Sequence, residues 1–403
     1  GIARRGRTDV RAGRWSLALM LYLDHNATTP LAPVALEAMT RVWTDVVGNP
    51  SSPHRFGQRA AAELRSLSDR FLARVGARIA NFPADRLVLT SGGTEANHLA
   101  LHGLGRTEPG SLVVSAIEHP SIRRAAIAAA ERFGHRLIVV APDRHGVVRP
   151  KAVAARLDES TRLVSIMAAN NETGVIQPIA EIGSLCRAAG VPCHTDAVQA
   201  IGKIPFSFAE TEVTAMTVAP HKFHGPVGIG ALVLRSNASL RPSMIGGFQQ
   251  QELRPGTEPL ALLAGAVAAL EWYLDSAETF RERVRALRDS FERTLLSEGS
   301  ELGSAAPRII GSEVDRLPQT SCIAFPGIDR QALVMAADMA GVACGTGSAC
   351  ASGSSRPSET LTAMGLPEPW IAGAVRFGFG VFQSPPDAPR AAHLILNAVK
   401  HLR

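Results

Sequence analysis

The amine of Lys222, the thiol of Cys350 and the carboxylate of Asp196 are the side chains whose settings point most clearly to chemistry. A lysine amine can form a Schiff base with an aldehyde cofactor and afterwards act as a base. A carboxylate at the end of a strand can hold a protonated ring nitrogen, which makes a pyridine ring a better electron sink. Cys350 stands among Gly, Ser and Ala rather than in an apolar run, so its thiol is available for chemistry. Together the three indicate a pyridoxal phosphate (PLP) enzyme that moves sulfur.

Each of these features also has an ordinary structural interpretation, which stays open at this point. Asp196 suits a helix N-cap, and Lys222 could be a surface lysine in a turn. The run Ser91 to Thr94, with Gly92 and Gly93 in its middle, lies between a predicted strand and a predicted helix. Glycines let the backbone approach a ligand, and the N–H groups of a helix start favour an anion. A phosphate is physically natural there, although many helices start this way without a ligand.

Short apolar runs alternate with helix-like runs through the centre of the chain, which predicts βαβ units and a mostly parallel sheet. Asp196 follows one predicted strand, and Lys222 lies in the loop between two others. The polar motifs therefore recur just past the C-terminal ends of strands, where ligands bind in open α/β sheets. The predicted strands are 86–90, 111–115, 163–167, 191–195, 215–218 and 229–234.

From about residue 259 the pattern changes. Residues 260–273 and 280–296 are predicted helices, of which the second is densely charged and amphipathic. An α+β tail follows, with predicted strands at 321–325 and 374–377. We expect a large domain over residues 21–269, whose first residues could pack with a smaller domain over 270–403 that carries the Cys350 loop.

The length of 403 residues, with 46% hydrophobic and 19% charged residues, is typical of a globular protein with two or three domains. Of the net charge of +6, residues 1–20 contribute five arginines against one aspartate, so the rest of the chain is nearly neutral. We interpret residues 1–20 as a basic leader or an added extension that is expected to be disordered. The rest of the chain shows no clustered basic stripe of the kind that binds nucleic acid, so we expect no direct nucleic-acid binding. No apolar run is long enough for a membrane span.

The five cysteines, Cys186, Cys193, Cys322, Cys344 and Cys350, are too sparse for a secreted disulfide framework. Reduced thiols in the cytoplasm are the simpler interpretation. The spacing of Cys186, Cys193 and His194 fits no familiar zinc pattern, so we expect no metal site. Cys322 lies in a predicted strand and Cys344 follows Val342-Ala343, so both are predicted to lie in the core.

Beyond these single motifs, the chain resembles the cysteine desulfurases of the NifS/IscS-like class, which are fold-type I PLP enzymes of the class V aminotransferase family. The resemblance runs from about Leu21 to Arg403. It implies a large domain with a mostly parallel seven-stranded sheet and a smaller α+β C-terminal domain. The matching blocks are Tyr22 to Pro30, Gly48 to Ser52, Thr90 to Asn97, Glu118-His119, Asn170 to Gly174, His194 to Gln199, His221 to Gly230, Arg254 to Glu258, Gly345 to Cys350 and Arg376-Phe377.

The resemblance implies a role for each matching residue. Lys222 would be the Schiff-base lysine, and Cys350 would accept sulfur. Asp196 would pair with the pyridine nitrogen, Gln199 would bond the ring hydroxyl, and His119 would stack on the ring and relay protons. The remaining implied ligands are Gly93, Thr94 and His221 for the phosphate, Thr257 for the phosphate from a partner subunit, Asn171 and Arg376 for the substrate carboxylate, and Asn26 as a further substrate-binding residue.

The implied reaction removes sulfur from L-cysteine and gives L-alanine and a persulfide on Cys350. The implied assembly is a homodimer that passes the sulfur to an acceptor protein, in iron-sulfur assembly, tRNA thiolation or DNA phosphorothioation. A selenocysteine lyase and a non-enzymatic scaffold relative are the alternatives. Two positions depart from the family pattern: Ala219 replaces a serine that donates to the phosphate, and Val227 replaces a lysine. We expect one phosphate hydrogen bond to be lost, which would weaken cofactor retention, or to be supplied by Thr217 or water.

Overall fold

The computed structural model of the chain describes residues 20–80, 82–105, 107–347 and 357–403. Cys350 and residues 1–19 lie outside the described residues. The strands are β1 Leu21–Tyr22, β2 Arg86–Thr90, β3 Ser111–Ser115, β4 Arg136–Val140, β5 Thr161–Ser165, β6 Cys193–Asp196, β7 Ala215–Val218, β8 Gly230–Leu234, β9 Arg308–Ile310, β10 Thr320–Ala324, β11 Val342–Ala343 and β12 Ala374–Gly378.

The α-helices surround these strands and fill the connections between them. They are α1 Pro33–Asp45, α2 Arg55–Arg74, α3 Gly93–Gly103, α4 Pro120–Phe133, α5 Pro150–Ala154, α6 Ile179–Ala188, α7 Phe208–Thr211, α8 Leu260–Asp275, α9 Ala277–Gly299, α10 Arg330–Met339, α11 Glu359–Ala363, α12 Glu368–Ala372 and α13 Asp387–Leu402. Short 3-10 segments cover Pro220–Lys222, Gln249–Glu252 and Ser300–Ala305.

Seven strands form one sheet in the order β2-β8-β7-β6-β5-β3-β4. Only β8 runs antiparallel to its neighbours, β2 and β7, so the sheet is mostly parallel, as predicted. The central strands β3, β6, β7 and β8 are buried along their whole length. Strands covered by helices on both faces are apolar runs rather than alternating patterns.

The predicted strands agree with the structure within two residues at each end. The largest difference is at β5, which was predicted at 163–167 and spans Thr161–Ser165. Residues 166 and 167 continue the buried apolar run without belonging to the strand. The apolar residues therefore predicted which segment is buried. The end of the strand is defined by sheet hydrogen bonds, which the sequence does not show.

The C-terminal part contains an antiparallel sheet in the order β12-β10-β9, and β1 pairs in parallel with β11. The first described residues therefore pack with the C-terminal part. The predicted boundary between residues 269 and 270 falls inside α8, a single helix that packs on α1 and α2. One apolar cluster joins the large sheet to α9, α13 and β12, so the division into two domains stays a prediction.

Within the described residues, no single helix is long and apolar enough to cross a membrane. The helix pair Leu260–Asp275 and Ala277–Ala305 is long and apolar enough for a membrane span only when the two are taken together. This judgement rests on length and composition alone, and the pair is bent by 76°.

Candidate functional site

A cavity of about 250 Å³ brings ten of the predicted site residues together. Its wall also contains Ala27, Asn97, Ser121, Met167, Val198 and Ala219. The predicted residues on the wall are Asn26, Gly93, Thr94, His119, Asn171, Asp196, Gln199, His221, Lys222 and Arg376.

A surface groove of about 920 Å³ lies elsewhere, at the opposite edge of the sheet. Thr161, Pro192 and Thr214, which line it, lie at or just before the N-terminal ends of β5, β6 and β7. None of the predicted site residues that the structure describes lines this groove, so we assign the chemistry to the smaller cavity.

Lys222 reaches the cavity because β7 ends abruptly. Ala219 is extended, with φ of −130° and ψ of 108°, as expected for a residue before proline, and Pro220–Lys222 then form one 3-10 turn. Asp196 pairs with Thr217 in the register of β6 and β7. Because the two strands are parallel, Asp196 and the Lys222 turn leave the sheet at the same edge.

The Lys222 amine is largely enclosed and lies between backbone carbonyls. Its Nζ donates to the carbonyl oxygen of Asn26 at 2.7 Å and to that of Ala27 at 2.5 Å. Burial, with a further contribution from the positive charge of Arg376, lowers the pKa of Lys222 to about 8. A much larger fraction of the amine is therefore neutral at physiological pH than for an ordinary lysine, whose pKa is about 10.4.

Both carboxylate oxygens of Asp196 accept hydrogen bonds within the protein. Asn97 Nδ2 donates to Oδ2 at 2.7 Å, and the backbone N–H of Val198 donates to Oδ1 at 3.0 Å. Asn97 also donates to Ser121 Oγ at 2.9 Å. These donors fix the carboxylate on the cavity wall and leave each oxygen a further lone pair for a ligand.

His119 caps the N-terminus of α4, and this contact determines its tautomer. Its Nδ1 accepts the backbone N–H of Ser121 at 3.2 Å and lies 2.7 Å from Ser121 Oγ. Burial lowers the pKa of His119, against the opposing effect of the Asp196 charge. The neutral ring therefore carries its proton on Nε2.

Arg376 is 3% exposed and is held from several sides. Its Nη2 pairs with Asp24 Oδ1 at 2.6 Å, and its Nη1 donates to the carbonyls of Asn171 at 3.0 Å and Gly347 at 3.3 Å. Asn171 Nδ2 donates to the same Gly347 carbonyl at 3.4 Å. The two predicted carboxylate ligands therefore share one acceptor, which a substrate carboxylate would replace.

Asn26, which was predicted to bind substrate, uses its side chain for contacts within the protein. Its Nδ2 donates to Thr320 Oγ1 at 2.9 Å and to the Asn171 carbonyl at 3.4 Å. Its backbone carbonyl accepts from Lys222 and from Gln199 Nε2, the latter at 3.0 Å. Its backbone thus joins two predicted cofactor ligands.

The predicted phosphate ligands lie where α3 begins. Gly93 and Thr94 are the first residues of α3 and line the cavity. The unpaired N–H groups at the N-terminus of this helix therefore lie at the cavity wall. A Cβ on Gly93 would lie 3.2 Å from Val198 Cγ2 and 3.4 Å from Ala219 Cβ. His221 Nδ1 lies 3.1 Å from Thr28 Oγ1.

Thr217 does not replace the serine that Ala219 lacks. Its hydroxyl lies 2.9 Å from His194 Nε2, and its methyl Cγ2 faces Gly93. The expectation that Thr217 supplies the missing phosphate bond is therefore wrong, because that hydroxyl is used in the core.

Two predicted residues are not brought to the cavity by the described chain. Thr257 is exposed and does not line the cavity, and its predicted contact with a partner's phosphate stays a prediction. Cys350 lies outside the described residues. The other four cysteines are free thiols, and burial raises the pKa of Cys322 and of Cys344 to about 12.

Sequence reasoning gave no role to four residues that support the site: Asp24, Asn97, Ser121 and Lys203. Asn97 follows Thr94 by one helical turn, and Lys203 follows Gln199 by four residues, so their spacing was a usable signal. Asp24 had no such signal, because its partner Arg376 is 352 residues away. Within the described residues, no group of three or more His, Cys, Asp or Glu side chains could hold a metal ion.

Comparison with known proteins decides the family. The profile of the family Aminotransferase class-V matches residues 21–388. The chain belongs to this family. A cysteine desulfurase of Gluconacetobacter diazotrophicus is 36% identical to it over 385 residues, which are 95% of this chain and 94% of that protein. Within the class-V family, the chain is thus a member of the cysteine desulfurase group.

Solved structures agree with this family and with the predicted fold. A NifS-like protein from Rickettsia africae superposes with a TM-score of 0.82 at 29% identity, over 95% of this chain and 99% of that one. The protein SspA, solved in complex with cysteine, superposes with a TM-score of 0.75 at 28% identity, over 90% of this chain and 99% of that one. The predicted fold-type I architecture is confirmed.

Proposed function

We propose that this protein is a PLP-dependent cysteine desulfurase that converts L-cysteine to L-alanine and carries the sulfur as a persulfide on Cys350. One observation carries the proposal: a lysine amine of lowered pKa, a hydrogen-bonded carboxylate and a buried arginine line the same small cavity. The family of the chain and its curated relatives support the same reaction.

The residues of the cavity fit PLP. The start of α3 offers N–H groups for a phosphate, Asp196 offers a carboxylate for the pyridine nitrogen, and Lys222 offers an amine for the aldehyde carbon. Gln199 Nε2 keeps a second proton for the ring hydroxyl after it has donated to Asn26. When bound, PLP supplies the electron sink that makes the α-proton of an amino acid removable.

The side chains of the cavity then divide the work of binding and proton transfer. Arg376 and Asn171 bind the substrate carboxylate in place of the Gly347 carbonyl. Lys222 Nζ removes the α-proton, since its lowered pKa makes it a base near neutral pH. His119, with its proton on Nε2, is a second group that can give a proton on the cavity wall.

In the sulfur transfer, one bond to the substrate sulfur forms while another breaks. The thiolate of Cys350 forms an S–S bond to the substrate sulfur while the bond between that sulfur and the substrate Cβ breaks. The electron pair stays with the carbon, which takes up a proton to give alanine. The sulfur remains on Cys350 as a persulfide, ready for a nucleophile of an acceptor.

A homodimer and an acceptor protein are part of the proposal. Three large apolar side chains lie exposed near Thr257: Met244, Ile245 and Phe248, at 52%, 88% and 84%. A second copy of the chain that covered them would also bring its Thr257 segment to a neighbouring cavity. We also propose a cytoplasmic location, supported by the free thiols of the described cysteines.

The deciding experiment adds L-cysteine to the PLP-loaded protein without reductant and weighs the Cys350 peptide by mass spectrometry. We expect a gain of one sulfur together with release of alanine, and neither in Lys222→Ala. An unmodified Cys350 in protein with bound cofactor would contradict the proposal. Light scattering of the same sample reads the oligomeric state.

A further inference from the structure

Lys203 is a buried lysine next to the cavity but not on its wall. It is 3% exposed, and its Nζ donates to Gln199 Oε1 at 2.9 Å. Gln199 in turn lines the cavity, so the lysine touches a proposed cofactor ligand from behind.

Within the part of the chain that the structure describes, no carboxylate pairs with this amine. Among the described residues, none of the ion pairs includes Lys203. Burial, followed by the positive charges of Lys222 and Arg376, lowers the pKa of Lys203 well below its ordinary value. A charge on Lys203 contributes, after burial, to the lowered pKa values of His25, His221 and His224.

The amine in this position acts as a hydrogen-bond donor to an amide oxygen. Both the ammonium and the neutral amine carry N–H donors, so the contact with Gln199 does not depend on which form is present. One of these donors goes to Gln199 Oε1.

The contact determines which way the Gln199 amide points. At its other end, Gln199 Nε2 donates to the carbonyl of Asn26 at 3.0 Å, a group that can only accept. With Lys203 at the oxygen end and Asn26 at the nitrogen end, a flipped amide would place two carbonyl oxygens together. The second Nε2 proton is then the one that a ligand in the cavity can accept.

The Asn26 carbonyl extends the network to the reactive amine. It accepts from Lys222 Nζ at 2.7 Å as well as from Gln199. A change at Lys203 therefore acts through Gln199 on the carbonyl that also holds Lys222, although Lys203 itself lines no part of the cavity.

We propose that Lys203 is a positioning residue that orients the Gln199 amide as a hydrogen-bond donor toward the ring oxygen of PLP. The inference rests on the proposed function for the identity of the cofactor. It assigns to Lys203 a role beyond filling the core, because a purely structural lysine would not change the electronic state of a bound ring.

The test uses Lys203→Met, which keeps the length of the side chain and removes the donor. Lys151→Met, at an exposed position on α5, controls for loss of a lysine. Three quantities are measured for each protein: the dissociation constant of PLP added to cofactor-free protein, the pH midpoint of the visible absorption change of the loaded protein, and the melting temperature of the cofactor-free protein.

We expect Lys203→Met to weaken PLP binding about fivefold, the effect of one hydrogen bond, and to shift the absorption midpoint. In a Gln199→Ala background the same substitution should change neither quantity, because the group that transmits the effect is gone. Lys203→Gln, which keeps an N–H donor on a shorter side chain, should recover part of the loss and replaces the methionine variant if that fails to fold.

Equal losses in both backgrounds, or an unchanged midpoint in a folded Lys203→Met protein, would overturn the inference. None of these three measurements requires the protein to convert a substrate. A wild-type protein that binds PLP but leaves cysteine intact would overturn the desulfurase function and leave Lys203 its role. A wild type that forms alanine while Lys203→Met behaves like Lys151→Met would overturn only the role of Lys203.

Discussion

Ala219→Ser should tighten PLP binding by restoring a phosphate donor. Ala219 lines the cavity and is 1% exposed, and its Cβ lies 3.4 Å from where a Cβ on Gly93 would be. A hydroxyl added to this Cβ is thus placed beside the start of α3, where the N–H groups are unpaired. Thr217 cannot already perform this task, because its hydroxyl contacts His194.

The size of the effect follows from the charge of the acceptor. A hydrogen bond to a charged group contributes about 1.5–3 kcal/mol, and each 1.4 kcal/mol changes a binding constant tenfold. We expect the lower end of this range, because a water molecule can donate to the phosphate in the wild type. Ala219→Ser should therefore lower the dissociation constant of PLP by about tenfold.

The assay titrates cofactor-free protein with PLP and, separately, with pyridoxal, which lacks the phosphate. The tightening should appear with PLP and be absent with pyridoxal. Ala238→Ser, at another buried alanine away from the cavity, controls for the added hydroxyl. An equal gain with pyridoxal, or no gain with PLP, would refute the placement of the phosphate at the start of α3.

Three further changes test other parts of the structure. Asn97→Ala removes the donor to Asp196 Oδ2 and should lower kcat/KM for cysteine about tenfold, whereas unchanged kinetics would show that the contact is idle. Burial lowers the pKa of His194 to about 3, so its stabilising effect is complete above its unfolded pKa of about 6.5 and is lost as pH falls toward 3. Urea unfolding should show about 2 kcal/mol of this loss between pH 7 and 5, and His194→Gln should remove that part of the slope. Glu292→Gln breaks the buried bidentate pair with Arg316, whose contacts are 2.9 and 3.1 Å, and should lower the free energy of unfolding by about 3–5 kcal/mol. A loss below 1 kcal/mol would mean that the arginine finds another partner.

Much of the sheet and of the site could be predicted because both depend on local signals. Buried strands are continuous apolar runs of four or five residues, so β2, β3 and β7 were predicted with the bounds that the structure has. Asp196 and Lys222 could be placed at the same sheet edge because parallel neighbouring strands end there.

The supporting contacts could not be predicted in the same way. Asp24 and Arg376 form an ion pair although they are 352 residues apart in the sequence. Nothing in the sequence distinguishes Arg376 from the other arginines as the partner of Asp24. Nothing in the sequence marked Lys203, which the structure buries against Gln199 Oε1 with a pKa well below its usual value. Thr217 was a plausible phosphate donor until its hydroxyl was found against His194.

Residue types at fixed spacings after predicted strands and turns were enough to predict the family, the fold class and the reactive residues. Folding sets which of those groups share a cavity, which hydroxyls and amides are already engaged, and which amines have a lowered pKa. The physical reason is that hydrogen-bond partners and burial depend on contacts between distant segments. Those contacts lower the pKa of Lys222 to about 8 and bury Lys203 behind Gln199.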